Sequence, residues 1–424
     1  MEKLNLDSIF NDSQLCQKAY KKLKSNMYYD KTQVILKKEI VEFEANKKSD
    51  KELDDSLIEI WKKLVHSTDD EWTNYIKKEI LYGIHCIFLP KKLKENQEKD
   101  SCIISNVEDD LQQIEVEKEQ AFIRLPVIGH ILSVVWVMTI GAVIDKSMTN
   151  CYGNRLREDF YHMEDCCSQK KKITFSPYLF KPYYLQYEKW QDNALKVAEQ
   201  HLKNNDDILI FTLDFERFYY SLDITDDFMK NIFKEVCLSN EGEEIKKHLN
   251  RLNDFVNSVI ECYAMKYKKY FPDTKKRILP IGFLPSNILA NYALKKFDES
   301  ILNSWNPLYF GRYVDDVIIV DKISHSHPLY EKIRSGKITM TEFIAEYLRS
   351  CCKWGILQAN TERQECRLDS RLLSSLGKHT ELSFNMKKCK IFYFSPENST
   401  KLLTTFRKHL EENKSEFRFL PEDV

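Results

Sequence analysis

The sequence lacks the cysteine, glycine and proline patterns that mark several specialised classes of protein. Its 12 cysteines form no CxxC pair, and the adjacent doublets Cys166-Cys167 and Cys351-Cys352 have poor geometry for holding one zinc ion. The chain has no internal repeat, no Pro/Gly-rich linker and no secretion signal at its start. We therefore expect reduced thiols and a cytoplasmic location, and a cysteine-rich zinc module is disfavoured.

A charge imbalance and a clear membrane-spanning run are also missing. The 64 Lys and Arg residues balance 65 Asp and Glu residues, for a formal net charge of −1. Overall charge therefore gives no sign of a nucleic-acid partner, although a local basic channel would suffice to bind one. The long apolar segment from Val127 to Ile144 is interrupted by Gly129, His130, Ser133 and Gly141, so we expect a buried helix there.

One stretch does combine positive charge with aromatic rings. Residues 266–277 carry six cations together with Tyr267, Tyr270 and Phe271. Cations that contact phosphates beside rings that stack on bases are typical of nucleic-acid grooves. A solvated helix face with inward aromatics is the alternative. The cations predicted to contact nucleic acid are Lys268, Lys269, Lys275 and Lys276.

Hydrophobic periodicity predicts helices over most of the chain. Residues 1 to about 120 have a helical pattern, and residues 121–206 combine an apolar helix with a polar, aromatic loop around Pro177–Trp190. Further helical patterns cover about 226–270 and 285–303. Later segments are interpreted as a polar, mostly helical stretch (324–380), a strand-like stretch (382–394) and an amphipathic helix after Pro396.

Two strand patterns meet acidic residues. The apolar, β-branched run 208–213 predicts a buried strand that ends in Asp214, and two later apolar runs flank Asp315 and Asp316 as the strands of a β-hairpin would. Carboxylates at the ends of buried strands are costly unless a cation neutralises them. If the strands lie side by side, the three carboxylates converge, and two magnesium ions about 3.5–4 Å apart would satisfy them. A simple Asp-Asp turn is the alternative.

Four segments follow one another along the chain: 213–222 (LDFERFYYSL), 279–291 (LPIGFLPSNILAN), 313–316 (YVDD) and 382–388 (LSFNMKK). They resemble, in the same order, four catalytic motifs of reverse transcriptases: the first palm motif, the Pro-x-Gly-x-x-x-Ser loop and helix, the Tyr-x-Asp-Asp hairpin and the Lys motif near the triphosphate. Any one of them would be a weak signal, but four in the order of the family are a strong one.

Departures from the common pattern narrow the resemblance. Ile281 stands where the family usually has Gln, and Ile278 stands where it usually has Gly. Together with segments 152–156 and 180–190, this is similar to the bacterial defence-associated and abortive-infection reverse transcriptases, the "unknown group" lineage. The resemblance covers roughly residues 120–395.

The resemblance implies an α+β fold of the right-hand polymerase type, helix-rich overall, with an antiparallel palm sheet, helical fingers and a short helical thumb. The implied division is a helical N-terminal extension (1–120), fingers (121–206), a palm with the catalytic motifs (207–323), a helical insertion (324–380), a palm return with the Lys motif (381–396) and a C-terminal helix or thumb-like tail (397–424).

The resemblance also implies roles for individual residues. Asp214, Asp315 and Asp316 would be catalytic and, with the backbone carbonyl of Phe215, would hold two Mg²⁺ ions, for which Mn²⁺ could substitute. A bulky ring at Tyr219, beneath the sugar, would exclude a ribose 2′-hydroxyl, and core packing is its alternative role. Residues expected near the nucleotide are Tyr219, Arg124, Arg155, Gly282 and Lys388, and Ser286 is expected at the nucleic acid.

The implied function is RNA-directed DNA polymerase activity in an antiphage defence system, with a dedicated non-coding RNA as one candidate template. The partners would be deoxynucleoside triphosphates, an RNA template and the DNA product. A companion protein subunit and self-association are both left open, and no membrane is expected. Template-independent or protein-primed DNA synthesis and a non-catalytic scaffold that keeps the fold are alternatives. An RNA-dependent RNA polymerase is disfavoured by Tyr219.

Overall fold

The structure is a computed structural model with a mixed α+β fold. Helices predominate, and the strands form one four-stranded and two two-stranded antiparallel sheets within the described residues. The α+β class expected from the sequence is confirmed. The residues that the structure describes are 5–28, 33–93, 116–158, 176–237, 242–339, 342–348, 357–360 and 365–396.

Among the described residues, five helices form the N-terminal part, where the sequence predicted helix. Three of them begin at side chains that accept a backbone N–H, and at α1 Asn5 accepts from Ser8. Ser49 caps Glu52, and Thr68 and Glu71 cap each other reciprocally, which satisfies donors that the first turn leaves without a partner. The helices are α1 (Leu6–Phe10), α2 (Leu15–Tyr28), α3 (Val34–Ala45), α4 (Asp50–His66) and α5 (Asp69–Glu79).

A β-hairpin follows where a helical pattern was predicted. Strands β1 (His85–Leu93) and β2 (Val116–Arg124) pair antiparallel, with His85 opposite Arg124. The helical prediction up to residue 120 was therefore wrong at both strands. The first four residues of β2 are exposed, so the strand lacks the alternation of buried and exposed positions by which a half-buried strand is recognised.

The apolar segment after β2 is a core helix. Helix α6 (Val127–Lys146) contains a π-helical turn over Val137–Gly141 and contacts α2. Within the described part of the chain it is the one helix long and apolar enough to cross a membrane, with a mean hydropathy of 2.2, and 89% of that window is buried inside the protein. The expected buried helix is confirmed, and its burial is consistent with a soluble protein.

Helix α7 (Tyr183–Lys203) begins inside the stretch predicted as a polar, aromatic loop. Pro182 precedes the helix, where its missing N–H costs no intrahelical hydrogen bond. The helices predicted over 226–270 and 285–303 are present, although both are interrupted. The further helices are α8 (Phe218–Ser221), α9 (Asp226–Cys237), α10 (Glu243–Lys268), α11 (Leu284–Ala293) and α12 (Lys295–Ser300).

The four-stranded sheet has the order β4-β5-β3-β8. Its centre is buried on both faces, as the apolar runs predicted, and helix α7 contacts three of its strands. Trp305 stacks on Phe211 of β3 with ring centroids 5.4 Å apart. The strands are β3 (Ile208–Asp214), β4 (Tyr309–Tyr313), β5 (Asp316–Lys322) and β8 (Lys390–Phe394).

Where the structure describes it, the segment between β5 and β8 is less helical than predicted. It contains helix α13 (Tyr330–Arg334), a π-helical turn (Phe343–Leu348) and a hairpin of β6 (Leu357–Asn360) and β7 (Glu365–Leu368). Short polar strands carry no periodicity long enough to separate them from helix. The C-terminal helix predicted within 397–424 lies outside the described residues.

Burial of His130 predicts that the fold weakens in mild acid. His130 of α6 is 2% exposed, and burial lowers its pKa to about 4. Unfolding restores an ordinary pKa near 6.5, so the unfolded chain binds more protons between these values and stability falls with falling pH. We expect a loss of about 2 kcal/mol from this residue between pH 7.5 and pH 5.

Chemical denaturation at both pH values measures this loss in the native chain and in His130→Leu. The variant should show a smaller drop in unfolding free energy between the two pH values. His248 is equally buried and has its pKa lowered to about 4 by burial, so part of the drop should persist. His85→Gln, at an exposed position, is the control and should leave the drop unchanged. An identical drop in His130→Leu contradicts the prediction.

Candidate active site

The sheet brings the predicted carboxylates to one edge. Asp214 is the last residue of β3, and its antiparallel partner is Asp316, the first residue of β5. Val314 and Asp315 form the two-residue loop between β4 and β5, and the Phe215 N–H donates to the Asp315 carbonyl at 3.2 Å. Directly opposed residues share a sheet face. The hairpin with carboxylates at its tip, beside the strand that ends in Asp214, is therefore confirmed.

Lys388 joins these carboxylates from the segment before β8. Its Nζ lies 3.2 Å from Asp214 Oδ2, and the Asn385 N–H donates to the Asp214 carbonyl at 2.8 Å. Burial alone lowers the pKa of Lys388, but the carboxylates of Asp214, Asp316 and Asp315 outweigh it and raise that pKa above its ordinary value. The lysine therefore sits as a cation in the field of all three carboxylates.

The hairpin loop is strained at Val314. Its φ is +59°, in the left-handed region that a β-branched residue rarely adopts. A positive φ at the first loop residue and not at the second is the pattern of a type II′ turn, which usually has Gly there. Such a conformation costs about 1–3 kcal/mol and persists only where the surroundings enforce it. Asp315 and Asp316 therefore follow a backbone segment whose conformation depends on the surrounding packing.

Phe215 contributes only its backbone to this edge. Its ring is 1% exposed and stacks on Phe384 with centroids 4.5 Å apart. The Glu216 N–H donates to the Ser383 carbonyl at 2.8 Å, which continues the contact between the two segments. The predicted metal contact of Phe215 would therefore have to come from its carbonyl oxygen, and that role stays a prediction.

The phenol of Tyr219 is tied to helix α11. Its hydroxyl donates to Asn287 Oδ1 at 3.1 Å, and its carbonyl accepts from the Leu279 N–H at 3.2 Å. Burial raises the pKa of Tyr219, and the Asp315 carboxylate raises it further. The ring is therefore close enough to the hairpin tip to feel its charge, and two anchors fix its position.

The loop before α11 lies between the sheet edge and the N-terminal helices. The Ile123 N–H of β2 donates to the Ile281 carbonyl at 2.9 Å. Gly282 has a φ of +87°, a backbone conformation that favours glycine. A Cβ added there would lie 2.7 Å from Gln33 Nε2, the end of a flexible side chain that can move aside. Ser286 is 1% exposed, so its hydroxyl does not face solvent in this conformation.

The two arginines expected near the nucleotide have carboxylate partners. Arg124 forms an ion pair with Glu39 of α3 and keeps a half-exposed side chain. The Arg155 guanidinium binds Asp145 Oδ1 at 2.9 Å and the carbonyls of Cys151 and Asp145. Arg155 therefore has an internal structural role, whereas Arg124 is partly accessible. Contact of either residue with phosphate stays a prediction.

The basic run 266–277 divides into an inner and an outer side. Tyr267 is buried and stacks on Phe271 with centroids 4.5 Å apart. Tyr270 is 60% exposed. The inward position of Tyr267 and Phe271 agrees with the alternative prediction, a solvated helix face with inward aromatics. Tyr270 and the cations lie on the outer surface, where nucleic acid could reach them. The predicted cations lie on that outer side: Lys268, Lys269 and Lys275 are exposed and Lys276 is half-buried.

The donor set at the sheet edge fits magnesium in its chemistry. Carboxylate and carbonyl oxygens are the ligands that hard divalent cations prefer, and a cation, the Lys388 ammonium, already lies against Asp214. Within the described ranges, however, no group of three or more His, Cys, Asp or Glu side chains lies arranged so that it could hold a metal ion by itself. Solvent and nucleotide oxygens complete such sites in two-metal enzymes.

Sequence reasoning missed three buried polar residues behind the hairpin. Arg312, Asn291 and Asp298 are 0%, 0% and 4% exposed, and the Arg312 guanidinium donates to both Asn291 and Asp298. An arginine within an otherwise apolar and aromatic strand pattern was the available signal, since a buried charge requires a partner. Its partners could not be identified from the sequence.

No protein-family model matches this chain, and no curated protein matches it. The geometry of the sheet edge and the four motif segments are therefore what indicate a function.

Removing the positive charge of Lys388 should lower the free energy of unfolding because the repulsion among Asp214, Asp315 and Asp316 is then no longer offset. Lys388→Met leaves Asp214, Asp315 and Asp316 without the ammonium, and we expect a loss of about 0.2–1 kcal/mol in metal-free buffer because the side chain is largely exposed. Added Mg²⁺ should reverse the loss. Thermal melting with and without Mg²⁺ checks this, with the exposed neighbour Lys387→Met as control. Equal behaviour of the two variants contradicts the prediction.

Proposed function

We propose that this chain is an RNA-directed DNA polymerase with a right-hand polymerase fold. The observation that carries the proposal is the pairing of Asp214 with Asp316 beside the hairpin loop, with Lys388 bound to Asp214. These residues come from three of the four motif segments. Tyr219, in segment 213–222, connects them to the remaining segment, 279–291, through its hydrogen bond to Asn287 of helix α11. Segments far apart in the sequence therefore meet at one sheet edge, as the polymerase reading requires.

The carboxylates would serve nucleotidyl transfer by holding cations. Asp214, Asp315 and Asp316 are the residues that would hold two magnesium ions, with the Phe215 carbonyl as a further oxygen ligand. Bound there, the ions would supply activation of a 3′-hydroxyl and stabilisation of the departing pyrophosphate. Lys388 would orient the triphosphate by its positive charge. Phosphoryl transfer needs positioned charges more than covalent chemistry from the protein.

Tyr219 would decide which sugar is accepted. The hydroxyl bond to Asn287 and the backbone bond to Leu279 hold the ring near Asp315, where the sugar of an incoming nucleotide would lie if the metals sit at the carboxylates. A fixed phenol in that place would clash with a ribose 2′-hydroxyl and accept deoxyribose. This supports DNA as the product.

RNA as the template and antiphage defence as the role rest on the motif resemblance. Sequencing the nucleic acid that copurifies with the protein, together with the product that it makes, tests this part of the proposal. Product complementary to a copurified RNA supports templated synthesis. Product without a complementary template indicates the template-independent alternative, and product attached to the protein indicates protein priming.

The double variant Asp315→Ala with Asp316→Ala tests the catalytic proposal directly. Nucleotide incorporation in the presence of Mg²⁺ should fall to background because the ligands are lost. The melting temperature in metal-free buffer should stay the same or rise, since mutually repelling carboxylates are removed. Asp54→Ala with Asp55→Ala, an exposed Asp pair in α4, is the matched control and should keep activity. Undiminished incorporation by the hairpin variant sinks the proposal.

Tyr219→Ala should admit ribonucleotides while leaving the carboxylates in place. A steric rejection of about 3 kcal/mol corresponds to roughly a hundredfold preference for deoxyribonucleotides, and we expect most of it to be lost. Tyr219→Phe removes only the hydrogen bond to Asn287 and should keep most of the preference. Single-nucleotide incorporation with dNTP and rNTP pools, beside a melting curve, measures both. A folded, active Tyr219→Ala variant with unchanged preference would show that Tyr219 is not the gate.

A further inference from the structure

Arg312 is a buried cation whose five N–H donors all have acceptors. Nε and Nη2 bind the Asp298 carboxylate at 2.8 and 2.6 Å. Nη1 donates to Asn291 Oδ1 at 3.1 Å and to the Val314 carbonyl at 2.9 Å, and Nη2 also donates to the Asn291 carbonyl at 3.1 Å. The guanidinium is 0% exposed and all of its N–H groups are hydrogen-bonded. Moving Arg312 or one of its partners would leave a buried donor without an acceptor, so these contacts resist displacement.

Arg312 and Asp298 form a buried ion pair. Burial alone lowers the pKa of Arg312, but nearby groups, with Asp298 the largest contributor, outweigh burial and raise it, whereas burial raises the pKa of Asp298 itself. A buried ion pair of this kind contributes little net stability compared with apolar side chains, and its best-attested use is to specify one arrangement. Here the ion pair would specify the conformation of the hairpin loop, because Arg312 donates to the Val314 carbonyl.

Asn291 and Gly153 extend this set of contacts to the backbone beside the same loop. The Asn291 side chain accepts from Arg312 and donates through Nδ2 to the Gly153 carbonyl at 2.8 Å. A Cβ atom added at Gly153 would lie 2.6 Å from Val314 Cγ2 and 2.9 Å from Val314 N. The backbone of Gly153 therefore lies directly against the strained residue, and only glycine leaves the space.

Backbone pairing fixes this arrangement to strand β4. The Arg312 N–H donates to the Asn150 carbonyl at 2.9 Å, and the Tyr152 N–H donates to the Arg312 carbonyl at 2.7 Å. The segment that carries Gly153 is thus aligned on the strand that leads into the hairpin loop. Residues from three places in the chain, around 153, 291–298 and 312, meet behind Val314.

We infer that Arg312, Asp298, Asn291 and Gly153 form a positioning network that holds Val314 in its left-handed conformation and so sets the places of Asp315 and Asp316. The inference rests on the proposed function, since it assigns to these carboxylates the binding of divalent cations. None of the four residues is placed in contact with substrate. They act through the loop backbone, in the way that groups behind metal ligands orient those ligands.

Three measurements on Gly153→Ala and Arg312→Lys test the network: Mn²⁺ affinity by titration calorimetry, nucleotide incorporation, and amide hydrogen exchange over residues 309–320. We expect Mn²⁺ affinity and incorporation to fall by about 10- to 100-fold and exchange at the hairpin tip to become about tenfold faster. The Michaelis constant for the nucleotide should change little, because the nucleotide-contacting residues are untouched.

Arg251→Lys is the matched control, because Arg251 is also buried, at 4% exposed, and ion-paired, but with Asp69. It should lower the melting temperature without changing Mn²⁺ affinity or exchange at the hairpin. If all three variants change these readouts in proportion to their loss of melting temperature, the network is merely structural and the inference is overturned. Wild-type Mn²⁺ affinity and hairpin exchange in both test variants overturn it as well.

The proposed function can fail separately. Wild-type protein that neither incorporates nucleotide nor binds Mn²⁺ contradicts the polymerase proposal, and hairpin exchange then decides the positioning role alone. Faster exchange in Gly153→Ala and Arg312→Lys, compared with Arg251→Lys at equal loss of melting temperature, supports the network under that outcome. Equal exchange rejects it.

Discussion

Repulsion between carboxylates that the sheet register brings together is the constraint around which this part of the fold is built. Asp214 and Asp316 are direct partners across β3 and β5, and like charges in directly opposed positions destabilise a sheet. The Lys388 ammonium offsets part of that cost at Asp214. Under the proposed function, bound divalent cations would offset the remainder.

The hairpin loop carries a second cost, which the interior of the protein offsets. A valine with positive φ is unfavourable by itself, and here it is enclosed by a glycine backbone and by a guanidinium whose bonds are all made. Strain retained beside clustered charge is common at functional sites, where the surroundings keep reactive groups in one geometry.

The motif residues differ in how the tertiary structure uses them. Asp214, Asp316 and Lys388 come together at one edge, and Tyr219 is anchored beside them through Asn287. In contrast, the Arg155 guanidinium donates hydrogen bonds to the Asp145 side chain and to two backbone carbonyls inside the protein. A motif pattern specifies residue types at intervals, and it does not say whether a charged side chain faces a ligand or supports the backbone behind it.

By itself, the sequence determined the buried strand that ends in Asp214, the hairpin at Asp315-Asp316 and the apolar helix after Pro126, because each is written in a local run of apolar residues. It did not reveal β1 and β2, which show no alternation of apolar and polar residues, or β6 and β7, which are too short at 4 residues each to show a usable pattern. Only the tertiary structure decided that Arg312, Asn291 and Gly153 meet behind Val314. Such contacts join residues up to about 160 positions apart, and chain packing creates them, which no local pattern records.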